Sequence, residues 1–143
     1  DGSMFVGQSN RGWNSLGGKS YGMQRLIWTG KTPFEIKTME ALPTGFRLTF
    51  TRPIDKRGAS DPKSYQFISY TYPYHSKYGG DEIDVKRPGV MTATCSKDGL
   101  SVELKIRGLR EGYVHELDAA ALRSTEGVAL LHSEAYYTLN RIP

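Results

Sequence analysis

The side chains that could do chemistry concentrate in one stretch, Tyr70-Thr71-Tyr72-Pro73-Tyr74-His75-Ser76-Lys77-Tyr78-Gly79-Gly80-Asp81-Glu82-Ile83-Asp84. A tyrosine ring combines a large apolar face with a hydrogen-bonding tip. Such rings can stack on a pyranose while nearby carboxylates take its hydroxyls. Tyr72, Tyr74, His75, Tyr78 and Glu82 are therefore candidate ligand-binding residues, as an aromatic platform for carbohydrate. The same tyrosines also suit a strand, one face filling a core and the other covering an edge or a neighbouring domain. A second cluster is Gly7-Gln8-Ser9-Asn10-Arg11-Gly12-Trp13. Its glycines permit close backbone approach, and Arg11 and Trp13 could stack on or hydrogen-bond a ligand. Its plainer reading is a loop whose Trp13 packs against the following domain.

Other chemistries are poorly supplied. His75, Asp81, Glu82 and Asp84 could offer oxygen-rich metal ligation. Their spacing lacks the alternating ligands of an EF-hand, and Lys77, Lys86 and Arg87 oppose a cation, so no metal is expected. A hydrolytic or metal-dependent site stays a distant alternative. His75 and Ser76 are neighbours in sequence, whereas triads are assembled in space, and no Gly-x-Ser-x-Gly elbow occurs. His115 and His132 fall in other elements and read as strand or surface residues. Cys95 is the one cysteine, which excludes an intrachain disulfide and a Cys-based zinc site. It closes an alternating run from Val90 and reads as a small buried hydrophobe. The expectation is no catalytic residue and no cofactor.

The elements that must position these groups read as strands. Alternation with period two runs through Phe34–Met39, Phe46–Phe50, Tyr65–Tyr72, Met91–Cys95, Ser101–Ile106, Tyr113–Leu117 and Ala135–Leu139. Lys97-Asp98-Gly99 is a hairpin signal between two of them. Asp61-Pro62-Lys63-Ser64 suits a short helical turn, while Leu117–Leu122 reads as strand end plus turn. About seven short strands separated by turns predict an all-β, immunoglobulin/fibronectin III-like antiparallel β-sandwich. Glycine-rich residues 1–33 carry two apolar runs, Met4-Phe5-Val6 and Leu26-Ile27-Trp28, around a long polar loop. They predict a β-hairpin-like N-terminal extension ahead of a sandwich spanning 34–143.

Composition narrows the class. At 143 residues with 38% hydrophobic and 24% charged residues, the chain fits one globular domain. No apolar run reaches the ~20 residues of a membrane span. The net charge of +4 is scattered, with no basic stripe or nucleic-acid motif, so no nucleic-acid partner is expected. The start, Asp1-Gly2-Ser3-Met4, has neither the basic nor the apolar region of a signal peptide. Asp1 is not an initiator residue, and the chain is expected to be a piece of something longer.

The segments Phe5–Trp13 and Tyr21–Gly30 resemble the last blade of the β-propeller in bacterial, planctomycete-type glucose/sorbosone dehydrogenase-like proteins, often fused to cytochrome c. Pro33–Ile36, Gly45–Thr51, Tyr72–Gly79 and Tyr136–Pro143 resemble the Ig-like domain after that propeller. The chain departs from that pattern at Gly80-Asp81-Glu82, where such proteins tend to carry Ser-Pro-Glu, and it lacks the Cys-x-x-Cys-His haem motif. The resemblance implies a secreted or periplasmic location and a preceding propeller as partner. It implies a non-catalytic accessory domain of a parent that is itself an oxidoreductase. A carbohydrate-binding module is the alternative. An unpartnered strand edge in residues 1–33 also invites a dimer through that segment.

Overall fold

Period-two alternation lays down strands whose inward side chains are apolar and whose outward ones are polar. The structure, a computed structural model, describes residues 2–9, 18–19 and 21–143. It divides into two units, Asp1–Lys31 and Thr32–Pro143.

The first unit is an antiparallel pair, β1 (Met4–Gln8) and β2 (Gly22–Leu26), with Met4 opposite Leu26 and Gln8 opposite Gly22. The second strand ends where the expected run Leu26-Ile27-Trp28 begins. Met4, Phe5, Met23, Leu26, Ile27 and Trp28 are all exposed. With no buried face to select the register, backbone pairing alone decides which residues form the strand. Arg25 donates from Nε to Ser3 Oγ at 3.1 Å and lies over the Phe5 ring.

The second unit is the sandwich. Its strands are β3 (Ile36–Leu42), β4 (Gly45–Phe50), β5 (Gln66–Thr71), β6 (Ile83–Lys86), β7 (Val90–Cys95), β8 (Ser101–Ile106), β9 (Tyr113–Asp118) and β10 (Glu134–Leu139). One sheet runs β3-β4-β8-β7 and the other β10-β9-β5-β6, all neighbours antiparallel. This is the A-B-E-D and G-F-C order of the immunoglobulin sandwich, with β6 added beside C. Phe46, Leu48 and Phe50 of β4 and Val102, Leu104 and Ile106 of β8 face Phe67 of β5 and Leu117 of β9, all nearly or fully buried.

Two connections are fixed by local side-chain caps. A one-turn helix, α1 (Lys56–Ala59), is capped by Asp55, whose Oδ2 accepts from Gly58 N at 2.9 Å. The β7–β8 hairpin is closed by Asp98, which accepts from Ser96 Oγ at 2.6 Å and Leu100 N at 3.0 Å, with Gly99 at φ +71°. Cys95 is half-buried against the core, and burial pushes its thiol pKa up, away from a reactive thiolate.

The core holds one polar defect. His115 is fully buried opposite Ser69 on β5 and Tyr137 on β10. Among the described residues, neither ring nitrogen of His115, nor Ser69 Oγ, has a hydrogen-bond partner. Burial, first of all, pushes the imidazole pKa down, and the Arg110 charge adds to it. The folded state therefore binds the proton less readily than the unfolded chain. Below an ordinary histidine value of ~6.5 the unfolded state gains protons first, so stability falls as pH falls. Removing the unsatisfied polar group with His115→Leu should flatten that slope and relieve about 1–3 kcal/mol at acid pH. Urea midpoints of both proteins at pH 5 and pH 8 test this; parallel slopes would refute it.

Candidate ligand-binding surface

The segment between β5 and β6 carries the expected site. It closes on itself at His75, whose Nδ1 accepts from Lys77 N at 3.2 Å. A Cβ on Gly80 would stand 3.1 Å from His75 Nε2 and 3.5 Å from Pro73 Cγ, so glycine there lets the loop tuck under the imidazole. Tyr74 and Tyr78 are fully exposed, at 107% and 106%. Tyr72 is half-exposed and meets Tyr70 edge-on, with ring centroids 5.6 Å apart and planes at 81°. Tyr70 is buried beneath it, and that burial raises its hydroxyl pKa, with Tyr72, Glu116 and Glu82 adding.

The expected residues do not form one constellation. Tyr72, Tyr74 and His75 line one open depression of about 320 Å³. His75 and Tyr78 line a second, with Asp81. Glu82 lines neither; its charge acts on Tyr70 and Tyr136 at the outer face of the second sheet. Arg11 and Trp13 lie outside the described residues. Among the described residues, no three of the His, Cys, Asp and Glu side chains converge as metal ligands.

The loop is anchored by a residue that spacing alone does not reveal. Arg110 lies between the strands β8 and β9, yet its Nη1 donates to Asp84 O at 2.8 Å and its Nη2 pairs with Asp84 Oδ2. The guanidinium sits 3.5 Å from the Tyr113 ring centre, and Tyr113 OH donates to the same Asp84 oxygen at 2.8 Å. Asp84 takes the left-handed conformation at φ +50°, a cost the clamp offsets. The Tyr113 hydroxyl first, and then the Arg110 and Lys86 charges, hold the Asp84 carboxyl below the usual carboxylate range. Its contribution is present above the ordinary value and is lost as pH falls through the lowered one. Arg110→Met should move that carboxyl part-way back up, with Tyr113 keeping the rest. Backbone amides near Asp84 should exchange faster by on the order of tenfold, since local opening loses charge-assisted bonds. Unchanged exchange would show the clamp is idle.

A set of outward carboxylates is likewise hidden from sequence reasoning. Glu116 and Asp118 alternate on β9, and Glu134 stands opposite Asp118 across to β10. The alternation is visible in each strand, but their adjacency needs the pairing of β9 with β10.

Comparison with known proteins adds the fold. No family model matches the chain, and no curated protein does. Solved structures match: "Structure of surface layer protein SbsC, domains 1-6" and "Crystal structure of the S-layer protein rSbsC(31-844)", each 20% identical at a TM-score of 0.59. Each alignment covers 78% of this chain and 14% of that one. The N-terminal part of the bacterial S-layer protein SbsC matches at 20% identity and TM-score 0.56, over 76% of this chain and 24% of that one. At this identity the likeness is one of fold. It corrects the expected kinship with glucose/sorbosone dehydrogenase-like, cytochrome c-fused proteins, since the structures that match are S-layer domains. Among the stretches behind that expectation, Gly45–Thr51 holds β4 and Tyr72–Gly79 is the loop after β5, short local patterns of strand and turn. Within the stretch likened to a propeller blade, β1 and β2 pair as a two-stranded sheet.

Proposed function

We propose that the chain is a non-catalytic structural module of a larger exported, cell-surface protein, an Ig-type sandwich that holds position under tension between its neighbours. The observation that carries this reading is the seam between the two segments that lead into the first and last strands of the sandwich, β3 and β10. Leu131 N donates to Phe34 O at 3.0 Å. Glu35 accepts from His132 N at 3.1 Å and meets His132 Nδ1 at 2.7 Å. The chain thus joins the sandwich beside the start of β10 and leaves from its far end, six residues on, about 20 Å away at ~3.4 Å per residue. Pulling on the two ends shears strands along their length, loading many hydrogen bonds together. The ion pairs Arg47–Glu103 between β4 and β8, Arg52–Glu126 and Arg110–Asp84 likewise join separate segments of the fold. The likeness to S-layer domains, where the matched part is a fraction of a long chain, supports the same reading.

Single-molecule extension tests it. Thr32–Pro143 should release in one event, lengthening by on the order of 400 Å at ~3.6 Å per residue. Peeling in several small steps would sink the proposal.

Full exposure of Tyr74 and Tyr78 beside the His75 depression favours one second reading, a carbohydrate contact. Tyrosine fluorescence should then shift with oligosaccharide and lose the shift in Tyr74→Ala. Silence across a broad glycan panel would end it.

A further inference from the structure

The second sheet has an incomplete edge. β6 pairs with β5 only at Ser69, opposite Lys86, and at Thr71, opposite Ile83. Beyond Lys86 the chain turns through Arg87-Pro88-Gly89 into β7 of the other sheet. Pro88 has no N–H to continue a ladder, which ends β6 there. Gln66, Phe67 and Ile68 are therefore paired with β9 on one side and, among the described residues, have no strand on the other. Between this free edge and Arg87–Val90 runs a groove of about 440 Å³. An unprotected edge is a template for an added strand.

Charge states what kind of strand. Glu116, Asp118 and Glu134 also line the groove. Asp118 and Glu134 are directly opposite in register, an arrangement that destabilises a sheet when left uncompensated. Asp118 Oδ1 accepts from Ala120 N at 2.9 Å, and Glu134 Oε2 from Tyr136 OH at 3.1 Å. Among the described residues none of the three carboxylates forms an ion pair. Arg87, on the facing wall, is the single cationic side chain of the lining. A chain of net charge +4 thus places three carboxylates, without ion-pair partners among the described residues, beside this free edge of β5.

We propose that this groove accepts an extended, lysine- or arginine-bearing polypeptide segment, which adds to the free edge of β5 at Gln66–Ile68. Main-chain bonds to β5 supply the binding and alternate side chains its specificity. Cationic residues two apart share a face. Their long stems lie across Gln66 and Ile68 and bring the charges to Glu116 and Asp118, with Glu134 adding to the field. The proposal names a partner chemistry for the module described above but does not stand on its mechanical role, since either test can fail while the other succeeds.

The test titrates the full chain with a capped synthetic peptide of alternating lysine and valine, followed by two-dimensional NMR. Saturable shifts are expected at Gln66–Ile68 and Arg87–Val90, with slowed amide exchange at Gln66–Ile68, Arg87, Gly89 and Val90. Affinity should fall about tenfold or more in a Glu116→Gln/Asp118→Asn/Glu134→Gln variant and fall again with added salt. Methylating the peptide's backbone nitrogens on its pairing edge should abolish binding to the unaltered chain, an arm that does not depend on the variant folding. The proposal is overturned by no saturable binding, by equal affinity for a glutamate–valine peptide, by indifference to N-methylation, or by shifts mapping elsewhere. It is also overturned if the same residues shift on concentrating the chain alone, which would assign the edge to a second copy.

Discussion

Gly45→Ala is expected to destabilise the sandwich by about 3 kcal/mol or more, at or beyond the upper end of ordinary overpacking. Gly45 opens β4 opposite Lys105 of β8. A Cβ there would fall 1.8 Å from Leu104 O and 2.8 Å from Leu104 C. Both atoms are backbone of the adjacent central strand, so no side chain can swing aside. Relief requires β4 and β8 to part where Phe46 and Leu104 are both fully packed. The demand is for space and not for handedness, because Gly45 has no positive φ. Gly108 makes the contrast. It sits at φ +80° and a Cβ there would have nothing within 4 Å, so Gly108→Ala meets only the left-handed penalty of about 1–2 kcal/mol. Thermal unfolding should therefore order the proteins as parent, Gly108→Ala, Gly45→Ala. For a unit of this size the last should melt roughly 10 °C lower. A Gly45→Ala midpoint at or above that of Gly108→Ala would refute the steric argument.

The strands that bury one face were legible in the sequence. β4, β8, β9 and β10 show clean alternation, and the burial of Phe46, Val102, Leu117 and Leu139 follows it. The Asp98-Gly99 turn was legible because its chemistry is local. β6 was not: all four of its residues are exposed, so alternation carries no burial signal, and pairing at two positions is a tertiary fact. α1 escaped because one turn capped by Asp55 is too short to show a helical period. The same division holds for the candidate surface. The tyrosines of the β5–β6 loop stand out in sequence, but Arg110, which anchors that loop, lies 26 residues from Asp84. Nor could spacing reveal that the Glu82 charge acts on Tyr70 and Tyr136. Long-range partners of exposed groups are set by sheet order, which short motifs do not encode.

Phe46→Ala should cost about 3–5 kcal/mol, much of a typical domain's 5–15 kcal/mol. Phe46 is fully buried, stacked 5.8 Å from Phe67 and tilted against His115 and Tyr137, both at 5.4 Å. It is the ring through which β4 of one sheet meets β5, β9 and β10 of the other. The cavity it leaves would not be wholly apolar, because His115 borders it and Ser69 lies opposite His115, both with unpartnered polar atoms. Water enters a cavity only where polar groups receive it, and here they do. A bound water would satisfy the imidazole, ease its burial and let its pKa rise toward the ordinary value. The variant should therefore lose stability at neutral pH yet lose less of it on acidification than the parent. Leu48→Ala, at an apolar core position, should cost a comparable 2–5 kcal/mol while keeping the parent's pH slope. Urea midpoints at pH 5 and pH 8, with the His115 titration followed by NMR, separate the two. If Phe46→Ala keeps the full slope, the cavity is dry and His115 owes its lowered pKa to the wider core, not to this ring.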